Sequence, residues 1–187
     1  RPVTVRQLLD HTAGVNSLTV HDRPPCSITK SERDYTPADV LAEVACLPLD
    51  FKPGSAWSYS DTGYYLLGLL IERVSGTSYE QFLRERLFVP HGMLHTRLFT
   101  VTELVPNRAD NYVYKDGRFV HGPLLNPMVE FSFGGLMSTV GDLARFDIAL
   151  ASGRILQRQT LESMWTPTPV GDAMYGLGFA LRPISGR

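Results

Sequence analysis

The segment Thr62–Ser75 limits what this chain can fold into more than any other. Tyr64, Tyr65, Leu66, Leu67, Leu69, Leu70 and Ile71 surround its axis at helical spacing, and a helix apolar on all sides is normally enclosed by other elements. The apolar run from Tyr64 to Ile71 falls far short of the ~20 residues that cross a bilayer. The helix therefore has to be buried by protein, and 187 residues suffice for one domain, or one large piece of a bigger one, at about 150 residues per domain. With 43% hydrophobic and 20% charged residues the composition is globular and excludes a disordered tail. Lys+Arg of 18 against Asp+Glu of 19 leaves no basic excess for nucleic acid or an anionic membrane surface.

The remaining elements follow from caps and breakers. Thr4 to Gln7 is a T-x-x-Q capping box that opens a short helix through Leu8-Leu9, stopped around Gly14. Residues 15–35 are polar and proline-bearing and read as a long loop. Thr36-Pro37 places an N-cap before a proline, and Val40, Leu41, Val44 and Leu47 form a helical stripe that Pro48 ends. Gly76 closes the apolar helix, and Ser78 to Gln81 is a second capping box, opening a helix through Leu87 that ends before Pro90. Tyr112 to Tyr114 and Phe119-Val120 flank Lys115-Asp116-Gly117 as a β-hairpin, since Asp-Gly accepts the positive φ angles of a tight turn. Thr139 caps a helix with Leu143, Phe146 and Leu150 on one face, ended by Gly153. Leu161, Met164 and Trp165 mark a last short helix, and Tyr175 to Leu181 has the pattern of a strand start. The expected class is mainly α with a small β-hairpin.

Several patterns bear chemistry. Tyr59-Ser60-Asp61 lies between the loop Lys52 to Trp57 and the apolar helix. A tyrosine there moves protons only if a nearby cation lowers its pKa, because desolvation raises it; the bland alternative is a packed tyrosine with Asp61 capping the helix. Ser27-Ile28-Thr29-Lys30 matches S-x-x-K literally, the spacing a serine acyl-transfer enzyme uses. No apolar stripe accompanies it to make a buried helix, and two fixed positions recur by chance. Lys115-Asp116-Gly117 mimics K-x-G but is explained by the hairpin turn. His91 and His95 stand at i,i+4 spacing without the Glu of a zinc H-E-x-x-H motif, so no metal is expected there. Cys26 and Cys46 lack CxxC spacing and are expected to be free structural thiols.

Several segments together resemble one family. Val3 to Gly14, reading VTVRQLLDHTAG, resembles the "ITIRQLLSHTSG" segment of the class C β-lactamase-related serine hydrolases. Pro53-Gly54 through Tyr64 looks like that family's "PGxxxxYSNxGYxLLG" stretch, Gly134 to Thr139 with Asp142-Leu143 its "GGLxSTxxDL" segment, and Tyr175 to Phe179 its "YGLGW" strand start. Order and spacing hold over nearly the whole chain. The family includes class C β-lactamases, penicillin-binding DD-peptidases, D-aminopeptidases and esterases, and resemblance of fold does not choose among them.

The resemblance implies acyl transfer through a serine ester, with no cofactor, on a small-molecule or peptide substrate. It also implies that residues 1–170 are the helical subdomain of the α/β serine β-lactamase/transpeptidase-like fold and 171–187 a return segment into the α/β sheet domain. By the family's order of motifs, the S-x-x-K pair belongs before Arg1 and the K/H-x-G motif after Arg187, so Ser27 and Lys115 are decoys and the rest of the parent chain is the expected partner. Residue 1 being Arg and the stop at Ser185-Gly186-Arg187 suit an excised piece. Tyr59 is then the expected general base and later acid, and Asp61 the residue that orients the lysine and meets substrate. Phe131 and Phe133 are expected to line the acyl pocket, and a periplasmic or secreted location is favoured. Asp61 departs from the family's Asn: ionised Asp accepts hydrogen bonds but cannot donate, which favours an esterase or peptidase over a true β-lactamase. Two readings outside this one are a stand-alone helical module binding peptidoglycan or a partner protein, and an independent enzyme using Ser27 and Lys30.

Overall fold

The computed structural model of the chain describes residues 2–17, 36–100, 103–122 and 127–182, the side chains of Glu43 and of residues 127–130 excepted. Ser27, Lys30 and Cys26 lie outside the described residues. Helices α1 (Val5–Leu9), α2 (Pro37–Ala45) and α3 (Asp61–Ser75) are followed by α4 (Tyr79–Leu83), a π-helical turn (Arg84–Phe88) and a 3₁₀ turn (Val89–His91). Then come β1 (Arg97–Leu98), the hairpin β2 (Tyr112–Lys115) and β3 (Arg118–His121), α5 (Pro127–Gly134), β4 (Leu136–Met137), α6 (Val140–Ala151) and α7 (Arg158–Met164). β1 pairs antiparallel with β4, Arg97 opposite Met137, and β2 with β3, Tyr112 opposite His121.

The local signals translate directly. The Thr4 hydroxyl accepts the Gln7 N–H while the Gln7 side chain accepts the Thr4 N–H, a reciprocal capping box. Thr36 and Asp39 do the same for α2. Asp116 at φ 52° and Gly117 at φ 80° form the hairpin turn. The Thr139 hydroxyl caps α6 by accepting the Asp142 N–H, and Gly76 ends α3 at φ 74°.

The core sits where α2, α3 and α5 meet. Val40 and Tyr65 are buried there, with Val44, Leu69, Phe131 and Phe133 packed against them. The Phe131 ring lies 5.1 Å from those of Tyr65 and Tyr79. Gly68 permits the close approach of α5: a Cβ at this position would stand 2.2 Å from the Ser132 Oγ. That hydroxyl donates to the Tyr64 carbonyl at 2.8 Å, stitching α5 to α3. On its other side α3 receives α1, whose Leu9 carbonyl accepts the Tyr64 hydroxyl at 2.7 Å. Farther along the chain, buried Asp142 of α6 accepts from the His95 N–H at 2.8 Å and the Thr96 hydroxyl at 2.9 Å, tying the approach to β1 onto α6.

Several expectations change. α3 is not enclosed on all sides: Thr62, Gly63, Tyr65 and Gly68 are buried, but Leu70 is exposed and Val74 is 79% exposed. Its described neighbours α1, α2, α4 and α5 leave part of its circumference uncovered. The helix after Ser78 does not run as an α-helix through Leu87 and stop before Pro90. It widens into the π turn and continues as a 3₁₀ turn that contains Pro90. Pro90 has no N–H to give the Arg86 carbonyl at i−4, and, one residue on, the His91 ring meets the Leu87 carbonyl at 2.6 Å. In α6 the buried residues are Asp142, Ala149 and Leu150, whereas Leu143 is exposed. Tyr175 to Leu181 forms one antiparallel bridge, Tyr175 to Ala180, because Gly178 at φ 80° folds the segment back on itself. Cys46 is not a free thiol; it is disulfide-bonded. No helix among the described residues is long and apolar enough to cross a membrane.

Candidate active site

Tyr59-Ser60-Asp61 forms the junction where the loop after Phe51 enters α3. Ser60, not Asp61, is the N-cap: it is extended, at φ −143°, and its hydroxyl accepts the Gly63 N–H. Asp61 is thereby placed in the first turn, where the helix dipole favours a negative charge. Its carboxylate is only 6% exposed and accepts the Ser17 hydroxyl at 3.0 Å. Tyr59 stands outside the helix, 52% exposed, with a hydrogen bond to Asp61. The structure thus brings the two expected catalytic residues together.

The loop that follows α1 supports the junction. The Asp10 carboxylate accepts both the N–H and the hydroxyl of Thr12, at 3.2 and 2.6 Å, which fixes the turn through His11. Gly14, at φ 75°, is pressed onto Phe51 so closely that a Cβ would meet the Phe51 carbonyl oxygen at 2.3 Å. Backbone bonds then zip the two loops: Asp50 N–H to Gly14 O at 2.8 Å, Gly54 N–H to Thr12 O at 2.8 Å, and Ser58 N–H to His11 O at 3.1 Å. Residue-level spacing in the sequence does not reveal this pairing.

His11 is the centre of an aromatic box. It is 2% exposed and sits at φ 60°. Its ring centroid is 4.5 Å from that of Tyr59, 4.7 Å from Tyr175, 5.2 Å from Tyr64 and 6.0 Å from Trp57. Its Nδ1 accepts the Ser60 N–H at 3.2 Å, which assigns the proton of the neutral ring to Nε2. Burial lowers its pKa to about 4, against the opposing charges of Asp10 and Asp61. Burial also raises the Tyr59 pKa, reinforced by the charge of Asp61, by Tyr175 and by the Asp61 hydrogen bond. Tyr64 and Tyr175 are pushed up as well, chiefly by burial. Four buried polar atoms on the segments that build this site, His11 Nε2, Asn16 Nδ2, Trp57 Nε1 and Thr62 Oγ1, find no hydrogen-bond partner among the described residues. Buried polar atoms of native proteins are ordinarily satisfied.

Phe131 and Phe133 belong to the Val40–Tyr65 core, and the ring partners of Phe131 are Tyr65 and Tyr79 rather than members of the box. Phe131 itself has φ 30°, a kink in α5 just before Gly134-Gly135. Lys115 is the last residue of β2, paired with Arg118 beside the hairpin turn. The His91 ring meets the Leu87 carbonyl, while the backbone N–H of His95 goes to Asp142. No cluster of three or more His, Cys, Asp or Glu suited to a metal occurs among the described residues. His11, Ser17 and Tyr175 were not singled out by sequence; the only local signal is the Asp10-His11-Thr12 turn.

The chain is similar to several known proteins. Penicillin-binding protein 4* of Bacillus subtilis (strain 168) is 32% identical over 203 residues, spanning 99% of this chain and 45% of that protein. A D-stereospecific amidohydrolase from Streptomyces sp. superposes with a TM-score of 0.78 at 28% identity, over 94% of this chain and 56% of its own. The D-amino acid amidase of Ochrobactrum anthropi SV3 complexed with D-phenylalanine superposes with a TM-score of 0.74 at 25% identity, over 94% of this chain and 54% of its own. The chain spans a little under half the length of the first curated relatives it matches, 44% and 45%. The family described as Beta-lactamase matches residues 1–187, and the chain belongs to that family.

Proposed function

We propose that these residues are the helical part of a serine hydrolase that works through an acyl-enzyme, with Tyr59 as the proton carrier and the S-x-x-K serine and lysine supplied by sequence outside the 187 residues. The observation that carries this reading is the setting of Tyr59: half-exposed, fixed at a helix start, and beside the buried carboxylate of Asp61, with its pKa raised by its own partial burial first and by that carboxylate second. A general base at neutral pH needs the opposite shift. A lysine ammonium brought against Asp61 would neutralise the carboxylate and favour the phenolate, so the site makes chemical sense once a cation completes it. Tyr59 then takes the serine proton during attack and returns it to the leaving group. Asp61 orients the lysine and meets substrate, and backbone N–H groups elsewhere in the parent hold the oxyanion. The unpartnered polar atoms around His11 support a site that is finished by further protein.

Relatives named as penicillin-binding protein and as D-amino acid amidase support an amide, ester or lactam substrate. The acceptor-only Asp61 favours ester or peptide over lactam. The disulfide at Cys46 suits an oxidising compartment, periplasmic or secreted. The test is made in the parent that carries these residues, using a reactive ester. Tyr59→Phe keeps the ring and removes the hydroxyl, so kcat should fall by about 10²–10⁴ with the fold intact. Ser27→Ala should stay within about twofold, since a residue outside the machinery rarely shifts an energy by more than ~0.5 kcal/mol. A dead Ser27→Ala beside an active Tyr59→Phe reverses the assignment.

A further inference from the structure

His11 holds Tyr59 from three directions. Its carbonyl accepts the N–H of Ser58, the residue before Tyr59, at 3.1 Å. Its Nδ1 accepts the N–H of Ser60, the residue after, at 3.2 Å. Its ring lies against the Tyr59 ring, centroids 4.5 Å apart and planes tilted by 41°. The left-handed backbone at φ 60° is what lets one residue present both its carbonyl and its ring to the same short strap. A residue that only filled space would need the ring contact alone. Here the imidazole also satisfies a backbone donor in buried Ser60, at a helix start where orphan N–H groups are costly.

We propose that His11 is the positioning residue of Tyr59, and that it works only as the neutral imidazole protonated on Nε2. This rests on Tyr59 being the proton carrier. Protonating Nδ1 turns an acceptor into a donor that faces the Ser60 N–H, and it puts a positive charge among the rings of Tyr59, Tyr64, Tyr175 and Trp57. The strap from Ser58 to Ser60 then loses one of its two anchors, and the Tyr59 hydroxyl loses its fixed aim. The charged and titratable groups facing His11 are Asp10 from its own loop, Asp61 from the start of α3, and the phenols of Tyr59, Tyr64 and Tyr175. Both carboxylates favour the cation, but burial outweighs them and holds the ring neutral down to about pH 4. Tyr59 is therefore locked at neutral pH and released in acid.

Two substitutions separate acceptor from ring. His11→Phe keeps an aromatic in the box and removes the acceptor. His11→Asn removes the ring but offers an oxygen near the Nδ1 position, and Asn tolerates the left-handed backbone. In the full-length parent, His11→Phe should lower kcat by about 10–10²-fold with KM nearly constant, the scale of a misaimed catalytic group. His11→Asn should recover activity to within about fivefold of the wild type, and its kcat/KM profile should lack the acid limb that His11 sets. Nitrogen NMR of histidine-labelled parent supplies a readout independent of turnover: Nδ1 unprotonated at pH 7, with the Ser60 amide shifting in step with the His11 titration. His11→Asn as slow as His11→Phe, His11→Phe as fast as wild type, or a proton on Nδ1 at pH 7 each overturns the proposal. If Tyr59→Phe proves as active as wild type, the catalytic reading of Tyr59 fails. The coupled Ser60 and His11 titration still decides whether the clamp exists, and its absence overturns the clamp itself. Should His11→Phe not fold, the asparagine variant and the NMR titration decide.

Discussion

His11 and Asp142 both make the protein sensitive to acid, in different pH windows and for different reasons. The His11 pKa falls from 6.5 to about 4 on folding because burial disfavours the cation. Between those values the unfolded chain binds more protons than the folded one, so stability rises with pH there. The neutral ring's contribution is complete above about 6.5 and is lost as the pH falls toward 4. Replacing His11 by Asn should flatten this part of a stability-against-pH curve from urea unfolding. An unchanged slope between pH 6.5 and 4 would mean the imidazole titrates freely. Asp61 poses a substrate question instead. Asp61→Asn restores an amide donor and removes a charge beside Tyr59. In the parent, amide or lactam substrates should gain on simple esters. An unaltered ratio of kcat/KM between the two classes would limit Asp61 to a positional role.

Among the elements, α6 is tied to the His95-Thr96 segment through the Asp142 carboxylate. Burial would raise the Asp142 pKa, but the His95 N–H, the Thr96 hydroxyl and the nearby His95 and Arg145 charges outweigh it and hold it below the ordinary 3.8. The folded state therefore prefers the ionised form. That contribution is full above the unfolded value near 4 and disappears as the pH falls through the lower folded value. Asp142→Asn should cost about 1.5–3 kcal/mol at pH 7, the worth of hydrogen bonds to a charged group. The gap between wild type and variant should shrink as the pH falls below the ordinary carboxylate value of 3.8 and through the lower folded one. A gap that does not change with pH would show that shape rather than charge holds α6 to the His95-Thr96 segment. The element boundaries show where sequence signals stop. Caps at Thr4, Ser78 and Thr139 depend on groups within three residues and are legible, whereas at the start of α3 the sequence points to Asp61 and the structure uses Ser60. The π turn at Arg84–Phe88 and the kink at Phe131 are not, because both depend on neighbours that the local sequence does not name.

Across the whole molecule, several apolar side chains stand open. Val74 of α3 is 79% exposed and Val140 of α6 is 85% exposed, with Leu143 and Ile148 exposed along the same helix. Large open apolar surface on a soluble protein usually marks an interface, and the proposed remainder of the parent would cover some of it. The isolated 187-residue chain is expected to bind ANS and to self-associate in light scattering. It should also show no turnover of nitrocefin, p-nitrophenyl butyrate or D-alanyl peptides, and no labelling by a fluorophosphonate. A monomeric, ANS-silent chain would remove the case for a covered face, and stoichiometric labelling of one of its serines would remove the case for an external nucleophile.

The caps at Thr4, Ser78 and Thr139, the end of α3 at Gly76, the hairpin turn and the family were readable in the sequence, because caps, glycines in left-handed turns and ordered motifs act over a few residues and keep their meaning wherever the chain places them. Tertiary structure alone decided which side of α3 is covered, that Phe131 and Phe133 sit against Val40 and Tyr65, and that His11 meets Tyr59, Tyr64 and Tyr175 in one box. Burial and long-range hydrogen bonds depend on which surfaces meet. His11 and Tyr175 lie near opposite ends of the chain, so no local rule could pair them.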